Sequence, residues 1–348
     1  MMHGGDIYRN NIHYDFSVNL NPLGFPSEVQ WVLTEAAIHA NKYPDIYHEQ
    51  LVKDTAELFD VRQEEIVYGN GASELIMAIC HAFSPKKAML ITPCFLGYER
   101  CLKGASHNCE IINYGLLEED DFNLTDAFLE SLSSVKPQLL FLTNPNNPNG
   151  LTVKKELLEK IVKVCESQGT ILVIDECFLP LTGREKELSL AYKIRGCKGV
   201  IVIRAFTKSF AIPGVRLGYA ICSRKTIADD IKMHLPEWNL SIFAQMAGVQ
   251  CLKQLDFINE AAELINRERS FLSMELTNLG FKVYPSDANY ILFKADNLDL
   301  KEKLLEYSIL IRECDDFTGL DKGYYRVAVR NHNENSGLLT ALENVINE

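Results

Sequence analysis

The sequence predicts an α/β fold: a large domain with a mainly parallel central sheet, then a smaller α+β C-terminal domain. Three observations carry this. Short apolar runs alternate with helix-period segments through most of the chain. The texture changes after Pro236, to long helices and short strands. The chain has 348 residues, 47% of them hydrophobic, enough to bury a large core in one or two domains. In order, Ala88–Thr92, Gln138–Thr143, Thr170–Ile174, Gly199–Ile203 and Leu217–Cys222 read as strands, because each is a short apolar run. Val153–Ser167 reads as a helix, with Leu157, Leu158, Ile161, Val162 and Cys165 on one face. Such alternation puts helices on both faces of a parallel sheet. Beyond Pro236, Phe243–Leu252 and Asp256–Leu279 read as long helices. A strand at Tyr290–Phe293, a helix at Leu300–Tyr307 and strands at Leu310–Arg312 and Tyr325–Val329 complete the chain.

The bulk numbers exclude several classes. A net charge of −12 argues against nucleic acid or an anionic membrane as the main partner, though local basic pockets still hold anions. The ten cysteines are scattered with no Cys-x-x-Cys, and most sit among apolar residues. Reduced, buried thiols in a cytoplasmic protein are expected, not disulfides or a metal site. The start, Met-Met-His-Gly-Gly-Asp, is no signal peptide, and no apolar run approaches the roughly 18 residues of a membrane span.

Lys208 is the residue with chemistry to offer. It follows the strand Gly199–Ile203 in the loop Arg204-Ala205-Phe206-Thr207-Lys208-Ser209. Burial there strips water from an ammonium, lowers its pKa and makes it a nucleophile toward an aldehyde. Thr207 adds a hydroxyl, and Arg216, eight residues on, a guanidinium suited to a phosphate dianion. Amine, hydroxyl and arginine at this spacing suit pyridoxal 5'-phosphate, which needs a Schiff-base lysine and phosphate ligands. Upstream motifs converge on the same cofactor. Gly69-Asn70-Gly71-Ala72-Ser73 opens a helix whose N–H groups suit a phosphate, although a glycine turn with an ordinary cap fits equally well alone. Asn147, in Asn144-Pro145-Asn146-Asn147-Pro148, is placed to donate to the cofactor's phenolic oxygen, or is only turn chemistry. Asp175 closes a buried strand and needs a cationic partner, which a protonated pyridine nitrogen supplies. Phe95, after another strand, stacks on the ring or simply fills the core.

The order phosphate loop, aromatic, Asn-Pro, Asp, Lys, Arg resembles the fold-type I pyridoxal-phosphate enzymes, the aspartate aminotransferase superfamily, over nearly the whole chain. Within it the chain is most similar to the histidinol-phosphate aminotransferase group, and there to the L-threonine-O-3-phosphate decarboxylases of cobalamin biosynthesis. The resemblance implies an N-terminal arm over the active site at 1–25, a large cofactor domain at 26–237 and a small domain at 238–348. It implies that Lys208 carries the cofactor and moves protons, that Asp175 holds the pyridine nitrogen and Asn147 the phenolic oxygen. Ala72, Ser73, Thr207 and Arg216 then hold the phosphate. Tyr43 matches a tyrosine that reaches the phosphate from the neighbouring subunit of a homodimer. Arg326 matches the arginine for the substrate carboxylate, with Arg330 in support, and Arg312 one for the substrate phosphate. His3 and Asn19 match an arm that closes over that phosphate.

Three features favour decarboxylation of O-phosphothreonine over transamination of histidinol phosphate. Phe178 stands where the aminotransferases have a tyrosine that donates to the phenolic oxygen. The His3-Gly4-Gly5 arm and the wording around Arg216 and Arg326 also resemble the decarboxylases. O-phosphoserine, one methyl smaller, remains open as a substrate.

Overall fold

The computed structural model describes residues 4–295 and 299–347. An N-terminal strand, β1 (Tyr14–Asp15), precedes the central sheet. That sheet is built from β2 (Ile66–Gly69), β3 (Lys87–Thr92), β4 (Glu110–Gly115), β5 (Leu139–Thr143), β6 (Ile171–Asp175), β7 (Val200–Ala205) and β8 (Gly218–Cys222), in the order β2-β8-β7-β6-β5-β3-β4. From β7 to β4 every pairing is parallel. The run Leu217–Cys222, expected in a mainly parallel sheet, forms β8, antiparallel to both β7 and β2. The chain turns straight back after the Lys208 loop instead of crossing over a helix, and a direct return reverses the strand.

Side-chain alternation divides the core. Leu140 and Leu142 of β5 point into one apolar cluster, Leu139 and Phe141 into the other. Helices cover both faces. The expected helix at 153–167 is Lys155–Gln168, and it buries the five residues that the sequence assigns to its inner face. Ile242–Leu252 packs on Ser27–Ile38 and Glu49–Phe59.

The C-terminal part contains β9 (Lys282–Val283), β10 (Tyr290–Lys294), β11 (Ile309–Leu310), β12 (Arg312–Glu313) and β13 (Tyr324–Ala328). Four of these form an antiparallel sheet, β12-β13-β10-β9. The single strand expected at Leu310–Arg312 is two. β11 pairs in parallel with β1, while β12 pairs with β13, so the chain changes partner at Ile311. The N-terminal segment is thereby stitched to the C-terminal region, and Phe16 enters its core beside Ile291, Val327 and Leu338. Two strands of the central sheet, β2 and β4, escape the sequence reading. β4 is an edge strand of exposed and half-exposed residues, so it has no long apolar run to betray it. All ten cysteines are free thiols, and no helix of the described residues is long and apolar enough to cross a membrane.

Candidate active site

The parallel strands deliver their C-terminal ends to one edge, as Thr143 on β5, Asp175 on β6 and Ile203 on β7 stand in register. Ligands of open α/β sheets bind beyond such ends. A cavity there is lined by Asn19, Ala72, Ser73, Phe95, Asn147, Asp175, Thr207, Lys208, Arg216, Arg312 and Arg326. Asn19 and Arg326, 307 residues apart in sequence, thus meet in one place.

Lys208 lies on the short helix Phe206–Ser209 that follows β7. Loss of water around its ammonium, and then the positive charge of Arg326, pull its pKa down to about 8. The lowered pKa favours the neutral amine that an aldehyde requires. The Lys208 Nζ stands 5.6 Å from the centre of the Phe178 ring.

Asp175 is buried at the end of β6, with two donors on its carboxylate. The Tyr98 hydroxyl donates to Oδ2 at 2.8 Å and the Cys177 N–H to Oδ1 at 3.0 Å. With its proton spent on Asp175, the Tyr98 oxygen accepts from the Thr143 hydroxyl at 3.0 Å. Burial and the Asp175 charge push the Tyr98 pKa far up, so this donor does not ionise. The Tyr98 ring is stacked on Phe141, centroids 4.7 Å apart. Next to Asp175, Glu176 forms a buried ion pair with Arg204 at 2.8 Å, and Ser189 and Glu185 complete the ring of contacts. This cluster ties the end of β6 to the end of β7, four residues before Lys208.

The expected phosphate position is the N-terminus of the helix Ala72–Phe83. Gly71 has φ +80°, and a Cβ there would lie 2.7 Å from Arg216 Nη2. Only glycine lets that guanidinium close against the helix terminus, where unpaired N–H groups and the helix dipole favour an anion. The cradle, a reactive lysine beside it and a carboxylate for a ring nitrogen fit pyridoxal 5'-phosphate as the sequence expects.

Arg312 and Arg326 face one another across β12 and β13. Arg326 is buried, donates to the Asn147 side-chain oxygen and to the Ser17 carbonyl at 2.9 Å, and its Nε has no partner among the described residues. The contact from Arg326 fixes the Asn147 amide, so its nitrogen is the end left to donate into the cavity. The Asn19 Oδ1 is likewise buried and unpartnered among the described residues. The Gly4-Ser17 contact closes the rim, with Gly5 N–H bonded to the Ser17 hydroxyl at 2.7 Å.

Of the other expected residues, only Arg330 is placed otherwise. Tyr43, expected to serve the neighbouring subunit, lies away from this chain's own cavity. Its side chain is 81% exposed and packs on Trp238. Arg330 pairs with Glu334 at 2.8 Å and donates to the Asp15 carbonyl, so it anchors β1 and does not line the cavity. His3 lies outside the described residues. Sequence reasoning missed Tyr98, whose only signal is an aromatic three residues after Phe95. Tyr98→Phe is expected to fold normally and to lower kcat by about tenfold or more, since a lost hydrogen bond to a charged group costs about 1.5–3 kcal/mol. Steady-state rates beside a thermal melt check this. Unchanged kcat would make Tyr98 a packing residue only.

The chain is similar to known proteins over nearly its whole length. The sequence model of the family described as aminotransferase class I and II matches residues 14–342. The threonine-phosphate decarboxylase of Salmonella typhimurium is 36% identical, covering 95% of this chain and 91% of that protein. The histidinol-phosphate aminotransferase of Caldanaerobacter subterraneus subsp. tengcongensis is 32% identical, covering 97% of this chain and 94% of that protein. The crystal structure of the histidinol-phosphate aminotransferase from Clostridium acetobutylicum superposes with a TM-score of 0.89 at 33% identity, over 96% of this chain and 99% of that one.

Proposed function

The chain belongs to the aminotransferase class I and II family, with pyridoxal 5'-phosphate as its cofactor, and we propose that it removes CO₂ from L-threonine O-3-phosphate to give (R)-1-aminopropan-2-yl phosphate. The observation that carries this reading is the pair Arg312 and Arg326, two guanidinium groups side by side in the cavity of Lys208. A substrate with a carboxylate and a phosphate on one small skeleton fits both at once. Histidinol phosphate has no carboxylate and fills only one of them.

When bound, the cofactor supplies an electron sink for the bond that breaks. Ala72, Ser73, Thr207 and Arg216 hold its phosphate, Asp175 its ring nitrogen, and Asn147 its phenolic oxygen. Phe178 has no hydroxyl to add there. Arg326 binds the substrate carboxylate, with Asn147 and Ser17 bracing the guanidinium. Arg312 binds the substrate phosphate. Together the two arginines set how the Cα substituents stand over Lys208, and thereby which bond is lost. Lys208 in its ammonium form then delivers the proton that takes the place of CO₂ on Cα.

The similarity to histidinol-phosphate aminotransferases supports a second reading, transamination of histidinol phosphate, and O-phosphoserine is a sibling substrate. The division into an arm at 1–25, a large domain at 26–237 and a small one at 238–348 belongs to this proposal. So does a cytoplasmic homodimer in which Tyr43 reaches the partner's cofactor phosphate. The exposure of Tyr43 and Tyr47 supports it, and a monomer mass in light scattering at working concentration would count against it.

Arg312→Ala tests the substrate. It is expected to weaken O-phosphothreonine by about 2 kcal/mol or more, as for a buried hydrogen-bonded charge pair. L-Threonine, already poor, is expected to be spared. Equal losses for both, measured as kcat/KM, would assign Arg312 to structure.

A further inference from the structure

Arg312 and Arg326 are cross-strand partners, both more than nine-tenths buried and both lining the cavity. Like charges so placed repel. Their surroundings differ. Arg326 has neutral partners, the Asn147 side chain and the Ser17 carbonyl, and an unpartnered Nε. Arg312 already has an anion. Its Nη2 meets Asp316 Oδ1 at 2.6 Å, its Nη1 donates to the Glu313 carbonyl, and its guanidinium carbon stands 5.1 Å from the centre of the Phe317 ring. The second Asp316 oxygen, Oδ2, is buried without a hydrogen-bond partner among the described residues. With one oxygen on Arg312 and the other without a hydrogen bond among the described residues, this carboxylate is incompletely satisfied, a poor choice for a purely structural brace.

We propose that Asp316 is a resident competing anion for Arg312, which occupies the guanidinium in the free enzyme and limits how tightly that position holds a phosphomonoester. This rests on the reading of Arg312 as the phosphate ligand. A phosphate dianion that docks on Arg312 comes close to Asp316 and is repelled by it. The reaction gives the limit a purpose. Loss of CO₂ removes the group held by Arg326, while the phosphate stays on the product. The substrate is gripped by two arginines and the product by one, and that one has its own counter-ion waiting. Asp316 weakens the phosphate contact equally for both, and the product, which has no Arg326 contact left to hold it, leaves the sooner for it.

The test uses the holoenzyme, whose cofactor fills the other phosphate position, with inorganic phosphate as a competitive inhibitor. Asp316→Asn keeps the shape and removes the charge. It is expected to lower the inhibition constant of phosphate about tenfold, because an opposing like charge is gone. The KM for O-phosphothreonine should fall with it, and that for L-threonine should not move. Asp316→Glu keeps the charge and should stay near the parent. Unchanged or weaker phosphate inhibition in Asp316→Asn overturns the proposal and leaves Asp316 as a brace for Arg312. Arg312→Ala separates the two failures. If it weakens phosphate inhibition while Asp316→Asn fails to tighten it, only the proposal falls. If Arg312→Ala leaves phosphate inhibition unchanged, the phosphate reading itself falls and takes the proposal with it.

Discussion

Lys208→Ala is expected to abolish turnover, with a loss of at least about 10⁴-fold, since it removes both a nucleophile and a proton carrier. The fold should survive, because Lys208 sits at the cavity wall and its loss relieves the burial of a charge. Cofactor should still bind weakly, through Arg216, Thr207 and the helix terminus at Ala72. In the parent protein, borohydride reduction followed by peptide mass mapping should leave the cofactor's mass on Lys208. The label on any other lysine would overturn the whole assignment. Arg326 and Arg216 both depress the Lys208 pKa, and Arg326 acts more strongly, so Arg326→Met should raise it from about 8. The alkaline-side requirement for free amine would then shift to higher pH in titrations of the cofactor-free protein.

Asp175→Asn is the second large effect, a loss of about 10²- to 10³-fold in kcat with little change in melting temperature. The amide keeps the size of the carboxylate and the contact with the Cys177 N–H through its oxygen. What goes is the negative charge that keeps a proton on the cofactor's ring nitrogen, without which the ring draws electrons poorly. The Tyr98 hydroxyl must also turn, from donor to acceptor, with its proton then donated to the Thr143 hydroxyl in a reversed contact, so that a charge-assisted bond becomes a neutral one. Tyr98→Phe in the Asp175→Asn background should therefore cost less than in the parent, a coupling that a double-mutant cycle reads. Rates near wild type in Asp175→Asn would remove it from the site.

How much of this was legible in the sequence depends on where a residue's partners lie. Asp175, Asn147 and Lys208 follow apolar runs that read as buried strands, so their place at a sheet edge follows from the pattern alone. Arg312 and Arg326 do not stand out that way. An arginine on a short strand looks like surface, and only the resemblance singled them out. Their meeting is a matter of register between β12 and β13, which no local pattern encodes. Tyr98 was missed for a similar reason, since its hydrogen-bond partner is 77 residues away. Asp316 is four residues from Arg312, close enough to notice, yet an acidic pair in a loop usually means solvent. Arg330 went the other way. Its nearness to Arg326 in sequence suggests a shared role, but it is four residues on, past the end of β13, and it turns to Glu334 instead.

The choice between losing CO₂ and moving an amino group is the central claim, and product analysis tests it most directly. Holoenzyme is incubated with O-phosphothreonine, O-phosphoserine or histidinol phosphate, with and without 2-oxoglutarate, and the products are resolved by mass. The account predicts CO₂ and (R)-1-aminopropan-2-yl phosphate from O-phosphothreonine in equal amounts, with no 2-oxo acid consumed. Stoichiometric conversion of 2-oxoglutarate to glutamate with histidinol phosphate as donor, and no CO₂ from O-phosphothreonine, would contradict it.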